Sequence, residues 1–219
     1  SSHVLGELSQ KVEVIPIGIA DRSNELTDDG DDLECIEVPI NHFFLFLGVL
    51  RYYKGLHTLL DAIKGESLSC VVAGSGPLEK KVRLYAKENN IDNVQFLGSV
   101  DEGVKLSLLR SCSGLVLPSN LRSEAFGVVL VEAAMMGKPL ISNEIGTGTS
   151  YVNLDGVTGL VVPPNSPEDL REALLRLHHN PSLAQKMGLA ARARYESHFS
   201  GPGMGAQYAK VYQRVISRP

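Results

Sequence analysis

Short apolar or β-branched runs alternate along the chain with longer segments in which apolar residues recur at helical spacing. The short runs KVEVIPI (11–17), HFFLFLG (42–48), LSCVVAG (68–74), VQFLG (94–98), GLVLPS (114–119), PLISN (139–143) and GLVVPP (159–164) predict strands. Between them the spacing predicts helices over 56–63, 77–89, 101–110, 126–136 and 167–178. Strands that alternate with helices in this way predict an α/β fold, a doubly wound parallel sheet covered on both faces. Such sheets bind ligands beyond the carboxyl ends of their strands, so the residues that follow each strand carry the functional information.

Two regions depart from the alternation. Residues 20–39 hold the acidic cluster Asp28, Asp29, Asp31 and Asp32. The cluster lacks the alternate-position ligands and closing Glu of a calcium loop and reads as a solvated loop. The carboxyl-terminal region holds two helical stretches, PSLAQKMGLAARARYESHF and GAQYAKVYQRVIS, separated by SGPG. The second carries a stripe of Tyr208, Val211, Tyr212 and Val215. The chain therefore divides into a linker and first strand (1–20), a main domain (21–200) and a terminal helix (201–219).

With 219 residues, 43% of them hydrophobic, the chain can bury a sizeable core. A formal net charge of −4 argues against generic nucleic-acid binding, which needs a basic face, so any anionic ligand must be met locally. The longest apolar run, FFLFLGVL, is far short of the about 20 residues that span a membrane. No stretch reads as a signal peptide, although the chain begins without Met. Cys35, Cys70 and Cys112 are scattered without paired spacing and read as structural thiols of a reducing compartment. The six His are scattered too and read as ordinary residues.

Three strand ends could carry chemistry. In LGVLRYYKG, Gly48 ends a strand, Arg51 and Lys54 follow, and Gly55 opens a helix. That is either an anion site or a basic solvated turn. In VAGSGPLEKKV, Gly74 and Gly76 resemble a dinucleotide fingerprint, but Glu79 stands where the third Gly should be, so a tight strand-to-helix turn explains them as well. In SEAFGVVLVEAAMMGKP, Phe126 and Gly127 precede Val128 at a helix start, where unpaired N–H groups favour a phosphate.

The same stretch places Glu124 and Glu132 eight positions apart, about 12 Å along the axis if every step were helical. Carboxylates repel a diphosphate, but each can accept both hydrogen bonds of a vicinal diol. A nucleotide sugar offers one such diol at its sugar and one at its ribose. The alternatives are a dipole contact at the helix N-terminus for Glu124 and a structural ion pair for Glu132. Downstream, SPEDL supplies an architectural helix start with Ser166 as N-cap.

The ordered series VIPIGI, FLGVLRYYKG, VVAGSGP, VQFLGSV, VLPS, the E-x7-E pair Glu124 and Glu132, GKPLIS and DGVTGLVVPP resembles the carboxyl-terminal, donor-binding domain of family 4 (group 1) retaining GT-B glycosyltransferases. The resemblance runs from about Lys11 to Ile216, nearly the whole chain. It implies a Rossmann-like domain, the carboxyl-terminal half of a GT-B fold. It also implies roles. Glu124 approaches the donor sugar, Glu132 holds the ribose diol and Lys54 binds the diphosphate. Phe126, Gly127 and Val128 line the diphosphate and sugar through their backbone. Leu97 to Val100 meet the base, and Gly74 and Gly76 shape the cleft floor. One position departs from the pattern: relatives carry Arg directly after Gly48, where this chain has Val49. Alternate residues of an extended segment share a face, so Arg51 is expected to supply the cation.

The resemblance further implies an acceptor-holding amino-terminal domain outside this chain, to which the terminal helix crosses back. Packing within this domain explains the helix's apolar stripe almost as well. The expected function is donor binding in a retaining hexosyltransferase that needs no metal and no resident cofactor. RSEAFGVVLVEAAMMGKPLISNEIGTGTSYVN is most similar to bacterial enzymes that build O-antigen, lipopolysaccharide core or capsule, often mannosyltransferases using GDP-mannose. That implies a lipid-linked acceptor, peripheral association at the cytoplasmic face of the inner membrane, and no nucleic-acid partner. A UDP-hexose donor is the first alternative. A GT-B nucleotide-sugar epimerase and a module that binds nucleotide without catalysis are the others.

Overall fold

A computed structural model describes residues 12–25 and 42–217. The acidic cluster at 28–32 and Cys35 lie outside them. Six strands form: β1 (Phe43–Leu47), β2 (Ser69–Ala73), β3 (Val94–Gly98), β4 (Gly114–Leu117), β5 (Leu140–Asn143) and β6 (Gly159–Val162). They make one parallel sheet in the order β3-β2-β1-β4-β5-β6. The strand order reverses between β1 and β4, which opens a crevice at their carboxyl ends.

The apolar runs read as strands because a parallel sheet is covered on both faces, so neither face of a central strand turns polar. In β1 all five residues are buried. Phe44 and Phe46 enter one core with α1 (Leu56–Ile63), α2 (Glu79–Glu88) and α6 (Pro167–His178). Phe43, Leu45 and Leu47 enter the other, with α3 (Glu102–Ser111) and α4 (Val128–Met135). After α6 come α7 (Pro181–Arg194), a π turn (Tyr195–Phe199) and α8 (Gly201–Ile216). Cys70 and Cys112 are buried free thiols, and burial pushes them up to about 12 and about 11, out of the reactive range.

Three expectations are corrected. KVEVIPI forms no strand over its described residues: Pro16 lacks an N–H, Val14 is exposed, and the only ladder contact nearby is a bridge from Ile19 to Ser200. After β5 the chain also forms the short helix α5 (Thr149–Val152). The break at SGPG is confined to Ser200, which is extended: its hydroxyl caps Gly203 N–H at 3.3 Å and α8 starts at Gly201. The stripe on α8 does not pack into this domain, since Tyr208, Tyr212 and Val215 are all exposed.

Residues 12–25 are strapped to the domain by charge. Arg192 donates to Asp21 Oδ2 and to the Met135 carbonyl, each at 2.5 Å, while Arg110 reaches the Ser23 carbonyl. The Arg192 bond holds the Asp21 carboxyl at about 2, below an ordinary Asp near 3.8. Because the folded-state value is the lower one, this contact stabilises the fold above pH 4 and is lost as pH falls toward 2. Thermal melts from pH 7 to pH 2 should therefore show a shallower acid decline in Asp21→Asn than in the parent. Superimposable declines would remove this assignment.

Candidate functional site

The loops after β1, β2, β3 and β4 converge at the switch point. After β1 the chain makes a single 3₁₀ turn, Tyr52–Lys54, and leaves it through Gly55. Gly55 has φ +67, and a Cβ placed there falls 1.9 Å from the Pro118 carbonyl oxygen. Glycine thus serves two needs at once, a left-handed backbone and direct contact with the end of β4. The Asn120 N–H donates to the Tyr53 carbonyl at 2.9 Å, which closes the junction.

This contact delivers Lys54 to Glu124. Lys54 Nζ lies 2.5 Å from Glu124 Oε2, and the buried Ser119 hydroxyl donates to the same oxygen at 3.0 Å. Both charged side chains are 11% exposed, so the pair is only weakly screened by solvent. Glu124 Oε1 has no partner among the described residues and remains free to accept. Arg51 is exposed, and its side chain has no partner among the described residues. Val49 is exposed as well.

The loop after β2 forms the floor. A Cβ on Gly74 falls 2.0 Å from the Gly48 carbonyl oxygen, and Gly74 N–H donates to the Gly98 carbonyl at 2.6 Å, so three strand ends touch through backbone. Gly76 sits against the Leu50 backbone. Leu97 and Val100 pack their side chains on the α3/α4 core.

On the β4 side, Glu124 precedes α4 rather than lying in it. The helix begins at Val128, later than the spacing predicts, with Gly127 as N-cap at φ +76 and no side chain bonded to that end. The 12 Å axial separation estimated for a continuous helix between the two Glu therefore does not apply. Phe126 meets Phe199 edge to face at 6.1 Å, and Val128 is exposed. Glu132 sits in α4 among buried Val131, Ala133 and Ala134, and Lys105 Nζ on α3 lies 2.8 Å from its Oε1.

The structure thus brings Lys54, Glu124, Gly48, Gly55, Gly74 and Gly76 into one connected mouth. Ser119 joins it through Glu124, Lys105 contacts Glu132 on α4, and the sequence motifs do not single out Lys105. Ser119 was legible as the residue ending VLPS. Lys105 had no signal beyond its place in the first turn after a strand. Among the described residues no cluster of three or more His, Cys, Asp or Glu is arranged to hold a metal, and no helix is long and apolar enough to cross a membrane. A surface groove of about 460 Å³ lies on the flank of α1 and α2 against His57, Leu78 and Tyr85, and Tyr52 of the turn after β1 also lines it.

The family model of the group 1 glycosyl transferases matches residues 39–194, and the chain belongs to that family. It is 46% identical over 201 residues to D-rhamnosyltransferase WbpZ of Pseudomonas aeruginosa, a match covering 91% of this chain and 52% of the relative. It is 41% identical over 217 residues to O-antigen chain mannosyltransferase C of Escherichia coli, covering 99% and 58%. The chain spans a little over half the length of these curated relatives. The fold matches Anabaena HepE, solved in complex with UDP and glucose, with a TM-score of 0.80 at 21% identity over 92% of this chain and 56% of that one. The expected Rossmann-like sheet and family membership are both borne out.

Proposed function

We propose that this chain binds the nucleotide-sugar donor of a retaining glycosyltransferase that moves a hexose to a lipid-linked glycan in bacterial surface polysaccharide synthesis. The observation that carries this reading is the pair of carboxylates on either side of the start of α4. Each is held through one oxygen by a lysine, and each keeps its other oxygen free of protein partners among the described residues. A carboxylate fixed in that way is suited to a diol. In this reading Glu124 meets the sugar and Glu132 the ribose, with the uncapped start of α4 between them for the diphosphate.

Lys54 uses its charge on Glu124, and an ammonium has three donors, so it can bridge that carboxylate and a phosphate oxygen. Lys54, the exposed Arg51 and the α4 N-terminus would then stabilise charge on the departing nucleoside diphosphate without a metal. Arg51→Ala should weaken donor affinity as Lys54→Ala does. If Arg51→Ala leaves affinity unchanged while Lys54→Ala lowers it, Arg51 does not replace the cation missing at Val49.

Mannose from GDP-mannose is the preferred donor, supported by the Escherichia coli relative being a mannosyltransferase of O-antigen chains. A UDP-hexose is the second reading, favoured by the UDP and glucose in the HepE complex. The acceptor would be held by an amino-terminal domain, working at the cytoplasmic face of the inner membrane.

Calorimetric titration with GDP, UDP and ADP tests the site and identifies the base; no binding by any of the three would sink the reading. Glu132→Ala should weaken the bare nucleoside diphosphate by roughly tenfold or more, the worth of a hydrogen bond to a charged group. Glu124→Ala should leave bare nucleotide nearly unchanged and impair the intact donor. Equal losses of bare nucleotide in both variants would end the division of roles.

A further inference from the structure

Lys105 lies outside every motif that marks this site, yet its ammonium is bonded to one of the two glutamates. It stands in the first turn of α3, the helix that follows β3. From there Nζ reaches Glu132 Oε1 at 2.8 Å on one side and Glu102 Oε1 at 2.8 Å on the other. Glu102 pairs in turn with Arg22 of the strapped segment. The row Arg22, Glu102, Lys105, Glu132 alternates in sign from the domain's edge to the middle of α4. Burial works against the Lys105 ammonium, but its bonds to Glu102 and Glu132 outweigh that and its pKa rises.

Resting on the nucleotide-sugar reading above, we propose that Lys105 is a positioning residue. It fixes the Glu132 carboxylate by one oxygen so that the other faces the ribose diol. A purely structural pair would satisfy both partners inside the core. Here the Glu132 side chain stays 23% exposed, and its Oε2 has no partner among the described residues. Without the lysine, the Glu132 carboxylate loses the bond that fixes its Oε1, and its alignment on the diol is lost. Lys105 is itself held by Glu102, so one rotamer is selected before any ligand arrives.

The test is calorimetric titration of the chain with GDP or UDP, whichever binds, and with its 2′-deoxy counterpart. The parent should prefer the ribonucleotide by roughly tenfold or more. Lys105→Met should shrink that preference to less than about threefold, as Glu132→Gln does, and the double variant should shrink it no further. Lys105→Arg, which keeps the cation, should restore most of it. If Lys105→Met weakens both nucleotides equally and keeps the preference, the lysine acts only as general charge and the proposal is overturned. If Glu132→Gln itself keeps the preference, the assignment of Glu132 to the ribose fails, a separate result that takes this proposal with it. Should the methionine variant not fold, Lys105→Gln is judged by the same criterion.

Discussion

Gly55→Ala should destabilise the domain by about 3 kcal/mol and abolish nucleotide binding with it. Two costs add. An L-residue at φ +67 costs about 1 kcal/mol in backbone strain. The larger one is steric, because the new methyl meets the Pro118 carbonyl oxygen at 1.9 Å, and that oxygen belongs to backbone at the end of β4 rather than to a side chain that can turn away. The β1 and β4 loops must move apart, which breaks the Asn120 to Tyr53 bond and separates Lys54 from Glu124. Gly65→Ala is the matched control. It has φ +75 with nothing within 4 Å of the added methyl, so it carries the strain alone. Urea melts of the two variants decide the matter: a Gly55→Ala loss within about 1 kcal/mol of the Gly65→Ala loss would show that the loops do not depend on close contact.

Lys54→Met should cost about 3 kcal/mol in stability, because it leaves the Glu124 carboxylate buried without its cation. Both side chains keep a little solvent contact, which trims that figure rather than cancelling it. Glu124→Gln should cost less, since the amide oxygen can still accept from Ser119. The double variant should be more stable than Lys54→Met alone, with a coupling of about 1.5 kcal/mol or more in a double-mutant cycle. Strictly additive single losses would mean that the 2.5 Å contact contributes nothing to the fold. Donor use should be lost in every member of the series, so stability and affinity report separately on the same two residues.

The sheet was legible for a physical reason. Its central strands are buried on both faces, so their runs stay apolar from end to end, and all six appear within a residue or two of their predicted positions. KVEVIPI has comparable local propensity, yet its described residues pair with neither edge strand, β3 or β6, and tertiary position overrode it. The start of α4 was placed early, at Phe126, because apolar spacing does not register the left-handed Gly127 that sets the boundary. Glu124 and Glu132 stood out in sequence as carboxylates among apolar neighbours. Their lysine partners come from other elements, across 70 and 27 residues, and no periodicity within α4 points to either. The ion pair weighed as the alternative for Glu132 is present, and it engages one carboxylate oxygen.

The sheet order also bears on how the chain assembles. Every neighbouring pair is parallel, so none can be closed by a tight hairpin. The β1–β4 pair joins Phe44 to Gly114, a loop of about seventy residues whose closure is entropically late compared with β1–β2 and β2–β3. Until β4 arrives, one edge of Phe43–Leu47 offers unpaired N–H and C=O groups along a run of five apolar residues. An edge of that kind templates other chains. The crevice that gathers Lys54 and Glu124 is thus among the last regions to form, and half-built molecules carry a sticky strand where the finished ones carry a binding site. Refolding yield should accordingly fall with protein concentration well before native stability is compromised.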